Sequence, residues 1–187
     1  MDALGWILIA ALVAVALLVL WVIVAYNRVI RLENAIDNSW AQIDVQLKRR
    51  ADLIPNLVNT VKGYAAHEKG VLEGVTQARA ALMGARTPTE ANEADNLLTQ
   101  ALGKLFAVAE AYPDLKANQN FLQLQDELTH TENKVGYARQ RYNDVVLDFN
   151  NAVETFPGSL IAGMMGRRER PMLAVPEADR EVPRVAF

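Results

Sequence analysis

The spacing in this chain that most resembles a metal-binding motif is Glu127-Leu-Thr-His130, a Glu-x-x-His arrangement. Di-iron helical bundles use this arrangement on two helices and add a glutamate from each of two others. Here it occurs once. Moreover, Leu124 and Leu128 define an inward helix face, which turns Glu127 to the flank and His130 to the outer surface. We therefore predict that these two side chains lie on a solvated helix face and hold no metal.

The second histidine, His67, adjoins Glu68, and no Ser, Asp or His is placed to complete a triad or a zinc site with it. We interpret His67 as a packing or interhelical hydrogen-bonding group. Gly63, Gly70 and Gly74 lack the spacing of a phosphate-binding loop. The chain has no cysteine, which excludes disulfides and thiolate metal sites. These observations predict a protein that is not an enzyme and binds no cofactor.

Composition narrows the classes of partner. The chain has 187 residues and a net charge of -3, with acidic and basic residues mixed along its length. A nucleic-acid-binding domain carries a large basic patch or stripe, and this sequence has none. We therefore predict that nucleic acid is not a partner.

The first 27 residues predict a transmembrane anchor, because no charged residue occurs from Ala3 to Asn27. About 25 helical residues extend about 37 Å, and the hydrocarbon core of a bilayer is about 30 Å thick. A cleaved signal peptide would start with a basic segment, whereas this chain starts with Met1-Asp2. Aromatic residues near both ends are expected at the two membrane interfaces. The predicted anchor residues are Trp6, Leu17, Leu18, Trp21 and Tyr26.

The flanks of the anchor predict its orientation. Arg28 and Arg31 follow it directly, and no basic residue precedes it. Basic residues next to a span favour the cytoplasmic side. We expect a single-pass protein of the cell inner membrane, with its N-terminus outside and its C-terminal domain in the cytoplasm. The predicted divisions are an anchor at 1–27, a helical bundle at 28–157 and an apolar and basic tail at 158–187.

The chain after the anchor is predicted to be all-α, because Gly and Pro are sparse and no segment alternates apolar and polar residues. The clearest pattern is a 3-4 spacing of apolar residues over about five heptads, which is typical of a long helix with coiled-coil packing. Its members are Phe121, Leu124, Leu128, Thr131, Val135, Ala138, Tyr142, Val145, Phe149, Ala152 and Phe156.

A second apolar stripe, from Val29 to Leu47, begins directly after the anchor. No Gly or Pro occurs between Arg28 and Ile54, so we expect the anchor and this helix to be continuous. Pro55 removes a hydrogen bond and clashes with the preceding turn. It is expected either to kink this helix or to start a new one.

The remaining segments complete a bundle. An apolar face from Leu57 to Leu82 predicts one helix across this range, including its glycines. A loop at 84–89 precedes a third helix, which is expected to stop before Pro113. With the anchor leading into them, these segments predict an antiparallel bundle of about four long helices.

Two groups of residues are predicted to contact neighbouring subunits. Lys48, Arg49 and Arg50 belong to a dense cluster of charges just before Pro55. The tail is either disordered or a segment that docks on a neighbouring subunit or an anionic bilayer, because its apolar side chains precede a basic run. Those apolar side chains are Leu160, Ile161, Met164 and Met165.

The stretch from Ile43 to Val58, IDVQLKRRADLIPNLV, resembles the signature of the LemA family of bacterial membrane proteins. Later segments resemble the family's other motifs, among them Glu110-Ala-Tyr112-Pro113 and Phe156-Pro157. The resemblance implies a single-pass protein with its N-terminus outside, a cytoplasmic helical bundle and no established enzymatic activity.

Two functions fit these features. The first is a membrane-mounted scaffold protein whose partners are copies of itself and the lipid bilayer; rings are one outcome if the contact is heterologous and closes. The second is an accessory subunit that docks another membrane protein or a stress-signalling protein.

Overall fold

A computed structural model describes residues 2–174 of the chain, so the last part of the predicted tail, 175–187, lies outside the described residues. Residues 2–174 form six helices and no β-strand, which confirms the all-α prediction. The helices are α1 (Ala3–Lys62), α2 (Lys69–Gly84), α3 (Pro88–Ala109), α4 (Pro113–Lys116), α5 (Gln119–Glu154) and α6 (Gly158–Met164).

α1 is one helix of 60 residues that carries both the uncharged segment and the stripe that follows it. The predicted continuity is therefore confirmed, and the helix also continues through Pro55. A proline at position 55 has no N–H to donate to the carbonyl of Ala51, four residues earlier. Arg79 of α2 donates to that carbonyl through Nε at 2.8 Å. A side chain from another helix thus replaces the missing backbone donor.

The break between the first two bundle helices falls at 63–68 and not at Pro55. The sequence pattern predicted one helix across this segment, and that prediction is wrong. The apolar periodicity hides the break because Ala65, inside the loop, is buried like its helical neighbours. The Tyr112 hydroxyl donates to Glu68 Oε1 at 3.2 Å and so holds the end of the loop. Burial raises the pKa of Tyr112, and the hydrogen bond to Glu68 acts in the same direction.

The loop predicted between the second and third bundle helices is confirmed, because α2 ends at Gly84 and α3 begins at Pro88. Thr87 caps α3: its side-chain oxygen accepts a hydrogen bond from the Glu90 N–H at 3.2 Å. Proline at the first helical position suits this start, because its missing N–H would have no partner there. The short connection makes α2 and α3 antiparallel neighbours.

The apolar stripe of α5 is confirmed as a buried seam, with three exceptions: Leu124 and Ala138 are half-buried, and Phe156 is exposed. Phe156 is 80% exposed, because α5 ends at Glu154 and the helical register does not reach it. The turn that follows is tight, because a Cβ atom on Gly158 would clash with the carbonyl oxygen of Ala152. The buried members of the seam are Phe121, Leu128, Thr131, Val135, Tyr142, Val145, Phe149 and Ala152.

The described residues fall into two compact units. Unit 1 comprises 2–39 and 142–172, and it contains the start of α1, the end of α5 and all of α6. Unit 2 comprises 40–141 and 173–174, with the rest of α1 and α5 and all of α2, α3 and α4. The most deeply buried apolar side chains of unit 2 include Ile43, Ile54, Leu57, Val75, Leu98, Leu105, Leu115 and Leu128.

Candidate interaction surfaces

Both histidines are exposed. Glu127 accepts a hydrogen bond from Arg49 Nη2 at 2.9 Å, so its carboxylate is engaged in a surface ion pair. His130 is exposed on α5, on the side that its position relative to the seam predicts. His67 is exposed in the 63–68 loop, so the predicted packing role is wrong. The alternative role, an interhelical hydrogen bond, stays a prediction. Residues 2–174 contain no cluster of His, Cys, Asp and Glu that could hold a metal ion.

The basic cluster before Pro55 divides between surface and core. Lys48 and Arg49 are exposed, and Lys48 Nζ lies 2.6 Å from Asp44 Oδ2, one helical turn earlier. Arg50 was predicted to contact a neighbouring subunit, and this prediction is wrong because only 1% of its side chain is exposed. Its position one residue beyond Arg49 turns it to the inward face of α1.

A buried ion network lies where α1, α3 and α5 meet in unit 2. Arg50 Nη1 is 2.6 Å from one carboxylate oxygen of Asp95, and Arg139 Nη2 is 2.5 Å from the other. Arg50 Nη2 also lies 3.4 Å from Glu132 Oε1. The Asp95 carboxylate is therefore bound by two guanidinium groups from two different helices. A buried charge costs several kcal/mol unless it is paired in this way.

We expect Asp95→Ala to lower the free energy of unfolding by about 3–5 kcal/mol, because Arg50 would lose its buried counter-ion. The measurement is denaturant unfolding of the full chain in detergent, followed by circular dichroism. The matched control is Glu127→Ala, which removes the exposed partner of Arg49 and is expected to cost at most about 1 kcal/mol. Equal losses for the two variants would contradict this account of the network.

One exposed apolar surface of unit 2 lies between α1 and α5, and we call it the α1/α5 surface. Tyr137 is 75% exposed there and Val45 is 60% exposed. They line a shallow groove of about 570 Å³ together with Lys134 and Arg141. Large apolar side chains that share one groove favour a protein contact more than scattered ones do. The sequence analysis missed this surface because Tyr137 lies outside the apolar stripe of α5.

A second groove of unit 2, of about 450 Å³, lies between α2 and α3, and we call it the α2/α3 surface. Small residues of α2, among them Gly70, Gly74 and Ala81, form one wall. Leu97 of α3 lies on the other wall and is exposed. The α1/α5 and α2/α3 surfaces share no helix. Unit 2 therefore presents two different exposed grooves.

In unit 1, α1 carries a segment long and apolar enough to cross a membrane, and none of that segment is buried within the chain. Trp6, Leu17, Leu18 and Tyr26 are exposed, and Trp21 is half-buried. These are the residues predicted for the anchor. An apolar segment that is not buried against the rest of the protein needs another apolar environment.

The described part of the tail, 158–174, consists of α6 and a segment without regular secondary structure. Leu160 and Met164 are exposed and Met165 is half-buried. Ile161 was predicted to contact a neighbouring subunit, but this prediction is wrong because α6 packs Ile161 and Ala162 into the core of unit 1. One side of this short helix is thus buried in the protein, and the other side is exposed.

Polar contacts hold the residues after α6 within unit 1. Arg167 Nη2 lies 3.0 Å from one carboxylate oxygen of Glu33, and Arg170 Nη2 lies 3.2 Å from the other. The Asn150 side chain accepts from the Arg170 N–H at 2.9 Å and donates to the Arg170 carbonyl at 3.0 Å. The Arg167 and Arg170 side chains are therefore already paired with a carboxylate of the same chain.

Comparison with known proteins identifies relatives of the chain. The model of the LemA family matches residues 39–187. Protein LemA of Metamycoplasma hominis is 29% identical over 140 residues, which cover 73% of this chain and 63% of that protein. The chain thus spans less than two thirds of the length of that relative.

Magnetosome proteins are also similar to the chain. Magnetosome protein MamQ 2 of Paramagnetospirillum magneticum is 20% identical over 185 residues, covering 85% of this chain and 68% of that protein. Magnetosome protein MamQ of Magnetospirillum gryphiswaldense is 20% identical over 167 residues, covering 75% of this chain and 61% of that protein. The match to the family model extends over most of the chain, from the middle of α1 onward. The chain belongs to the LemA family.

Proposed function

We propose that this chain is a membrane-anchored, non-enzymatic scaffold protein of the bacterial inner membrane, and that copies of it assemble laterally through unit 2. The observation that carries the proposal is the pair of exposed apolar surfaces on different helix pairs of unit 2, in a chain that also carries a candidate span. The two surfaces supply the contacts, and the span brings the copies into one plane.

The orientation we propose places the N-terminus outside and the bundle in the cytoplasm. Arg28 and Arg31 lie directly beyond the uncharged segment, where basic residues favour the cytoplasmic face. Trp6 and Tyr26 lie near its two ends, about 30 Å apart along a helix, which matches the spacing of the two interfaces.

The absence of cysteine allows a direct test of this orientation, since one introduced thiol gives one labelling site. An Ala66→Cys thiol, in the exposed loop after α1, should react with a membrane-impermeant maleimide in inverted vesicles and stay unlabelled in intact spheroplasts. Asp2→Cys is the matched control and should show the opposite pattern. Reversed patterns would contradict the orientation, and labelling of Ala66→Cys in both preparations would contradict a single orientation.

Lateral assembly follows from the two surfaces once the chains are anchored. Copies in one membrane share one orientation, so the α1/α5 surface of one copy can meet the α2/α3 surface of the next. Such a contact is heterologous, and it forms a ring when the rotation closes or a row when it does not. Confinement to a bilayer also raises the effective concentration of the copies, which strengthens a modest contact.

We expect Tyr137→Glu to shift the particles of the detergent-solubilised full chain toward monomers, because it places a charge in the α1/α5 surface. A central tyrosine contact contributes about 2 kcal/mol, so the dissociation constant should rise about thirtyfold. Mass photometry measures the distribution. Leu122→Glu, on an exposed apolar residue of the same helix outside this groove, is the matched control and should leave assembly unchanged.

A mixing experiment tests whether the contact joins the two different surfaces. Leu97→Glu should also give monomers, because it disrupts the α2/α3 surface. A mixture of Tyr137→Glu and Leu97→Glu chains should form dimers, since each mixed pair retains one intact surface of each kind. No dimer in the mixture would contradict the heterologous contact.

The alternative function, an accessory subunit for another membrane protein, predicts a different result. The unaltered chain would be monomeric after extraction, and crosslinking in cells would capture a second protein in stoichiometric amount. A monomeric unaltered chain would overturn the scaffold proposal.

A further inference from the structure

α6 and Phe156, which lies two residues before it, carry exposed apolar side chains. Leu160 and Met164 lie four residues apart, on one side of α6, and are 59% and 86% exposed. Phe156, a further four residues earlier, is exposed to a similar degree. The opposite side of α6 already fills the core of unit 1 through Ile161 and Ala162. The exposed side therefore has no apolar partner among residues 2–174.

The position of this face within unit 1 indicates the partner. A small groove of about 170 Å³ is lined on one side by the end of the uncharged segment, from Trp21 to Val29, and on the other by the turn at 155–158. The uncharged segment is about 37 Å long and a bilayer core about 30 Å, so its last turns reach the membrane interface. Phe156 lies beside those turns and hence at the depth of the interface.

The charges around the face suit the same environment. Arg28 lines the groove, and Arg168 is exposed and makes no ion pair within residues 2–174. Interfacial segments combine apolar side chains with basic ones that meet lipid phosphates. The acidic groups that flank α6 in the chain are Glu154 and Glu169. The proximity of Glu169 raises the pKa of Glu154.

We infer that Phe156, Leu160 and Met164 form a second membrane contact, in which the exposed side of α6 inserts into the cytoplasmic interface of the bilayer next to the span. The inference rests on the anchoring part of the proposed function. It assigns the described part of the tail to lipid and not to a neighbouring subunit. The chain would then contact the bilayer twice, through the transmembrane span and through the exposed side of α6 at the interface.

The test uses the full chain with a single environment-sensitive label, reconstituted in vesicles of phosphatidylcholine and phosphatidylglycerol. An NBD fluorophore is attached to Met164→Cys. Because the native Met164 side chain is exposed, the label does not disturb the core. We expect a blue-shifted emission, and stronger quenching by lipids with a nitroxide near the headgroup than by lipids with a nitroxide near the chain end. That depth is the signature of an interfacial contact.

Two further labels separate this inference from the proposed function. Leu12→Cys, in the middle of the uncharged segment, should be quenched most strongly by the deep nitroxide. Met83→Cys, an exposed apolar residue of α2, should be quenched by neither lipid. If Leu12→Cys is unquenched, the membrane anchor itself is refuted.

Quenching of Leu12→Cys without quenching of Met164→Cys would overturn only the second membrane contact. A blue-shifted Met164→Cys label that no lipid quenches would also overturn it, because a protein surface would then cover α6. Quenching of Met164→Cys that is as weak as that of Met83→Cys counts as no contact.

Discussion

One buried carboxylate constrains how the helices of unit 2 pack. Asp95 is bound by Arg50 from α1 and by Arg139 from α5, so three helices must hold these side chains at one height. Periodic apolar stripes by themselves tolerate a slip of one turn, about 5.4 Å, because similar side chains recur. A slip at this network would leave Arg50 charged and unpaired in the core. The network therefore selects one register among several that hydrophobic packing would accept.

The same network orients the exposed surfaces. Tyr137 lies two residues before Arg139, and Leu97 lies two residues after Asp95. Residues two apart point to nearly opposite sides of a helix, about 200° around its axis. Fixing Arg139 and Asp95 inward thus fixes Tyr137 and Leu97 outward. The helix rotations that bury the charged side chains therefore also expose the side chains of the proposed contact surfaces.

Local patterns predicted much of the fold, and the failures have a common cause. The α5 seam and the loop at 84–89 follow from apolar periodicity and from turn-forming residues, which act within a few residues. The burial of Arg50 depends on Asp95, 45 residues later, and a charge cluster near a proline does not reveal that partner. The break at 63–68 was missed because its buried alanine continues the apolar pattern. The exposed surface around Tyr137 was not predicted, because a single exposed aromatic residue does not form part of a periodic apolar pattern.

The bond between Arg79 and the Ala51 carbonyl has a consequence for biosynthesis. Proline deprives α1 of one backbone donor, and the substitute lies 28 residues further along the chain. During translation, the segment around Pro55 leaves the ribosome before Arg79 does, so its carbonyl has only water to bind until α2 emerges. The hydrogen bonding of α1 around Pro55 is therefore complete only after α2 has been synthesised, well after the apolar start of the chain.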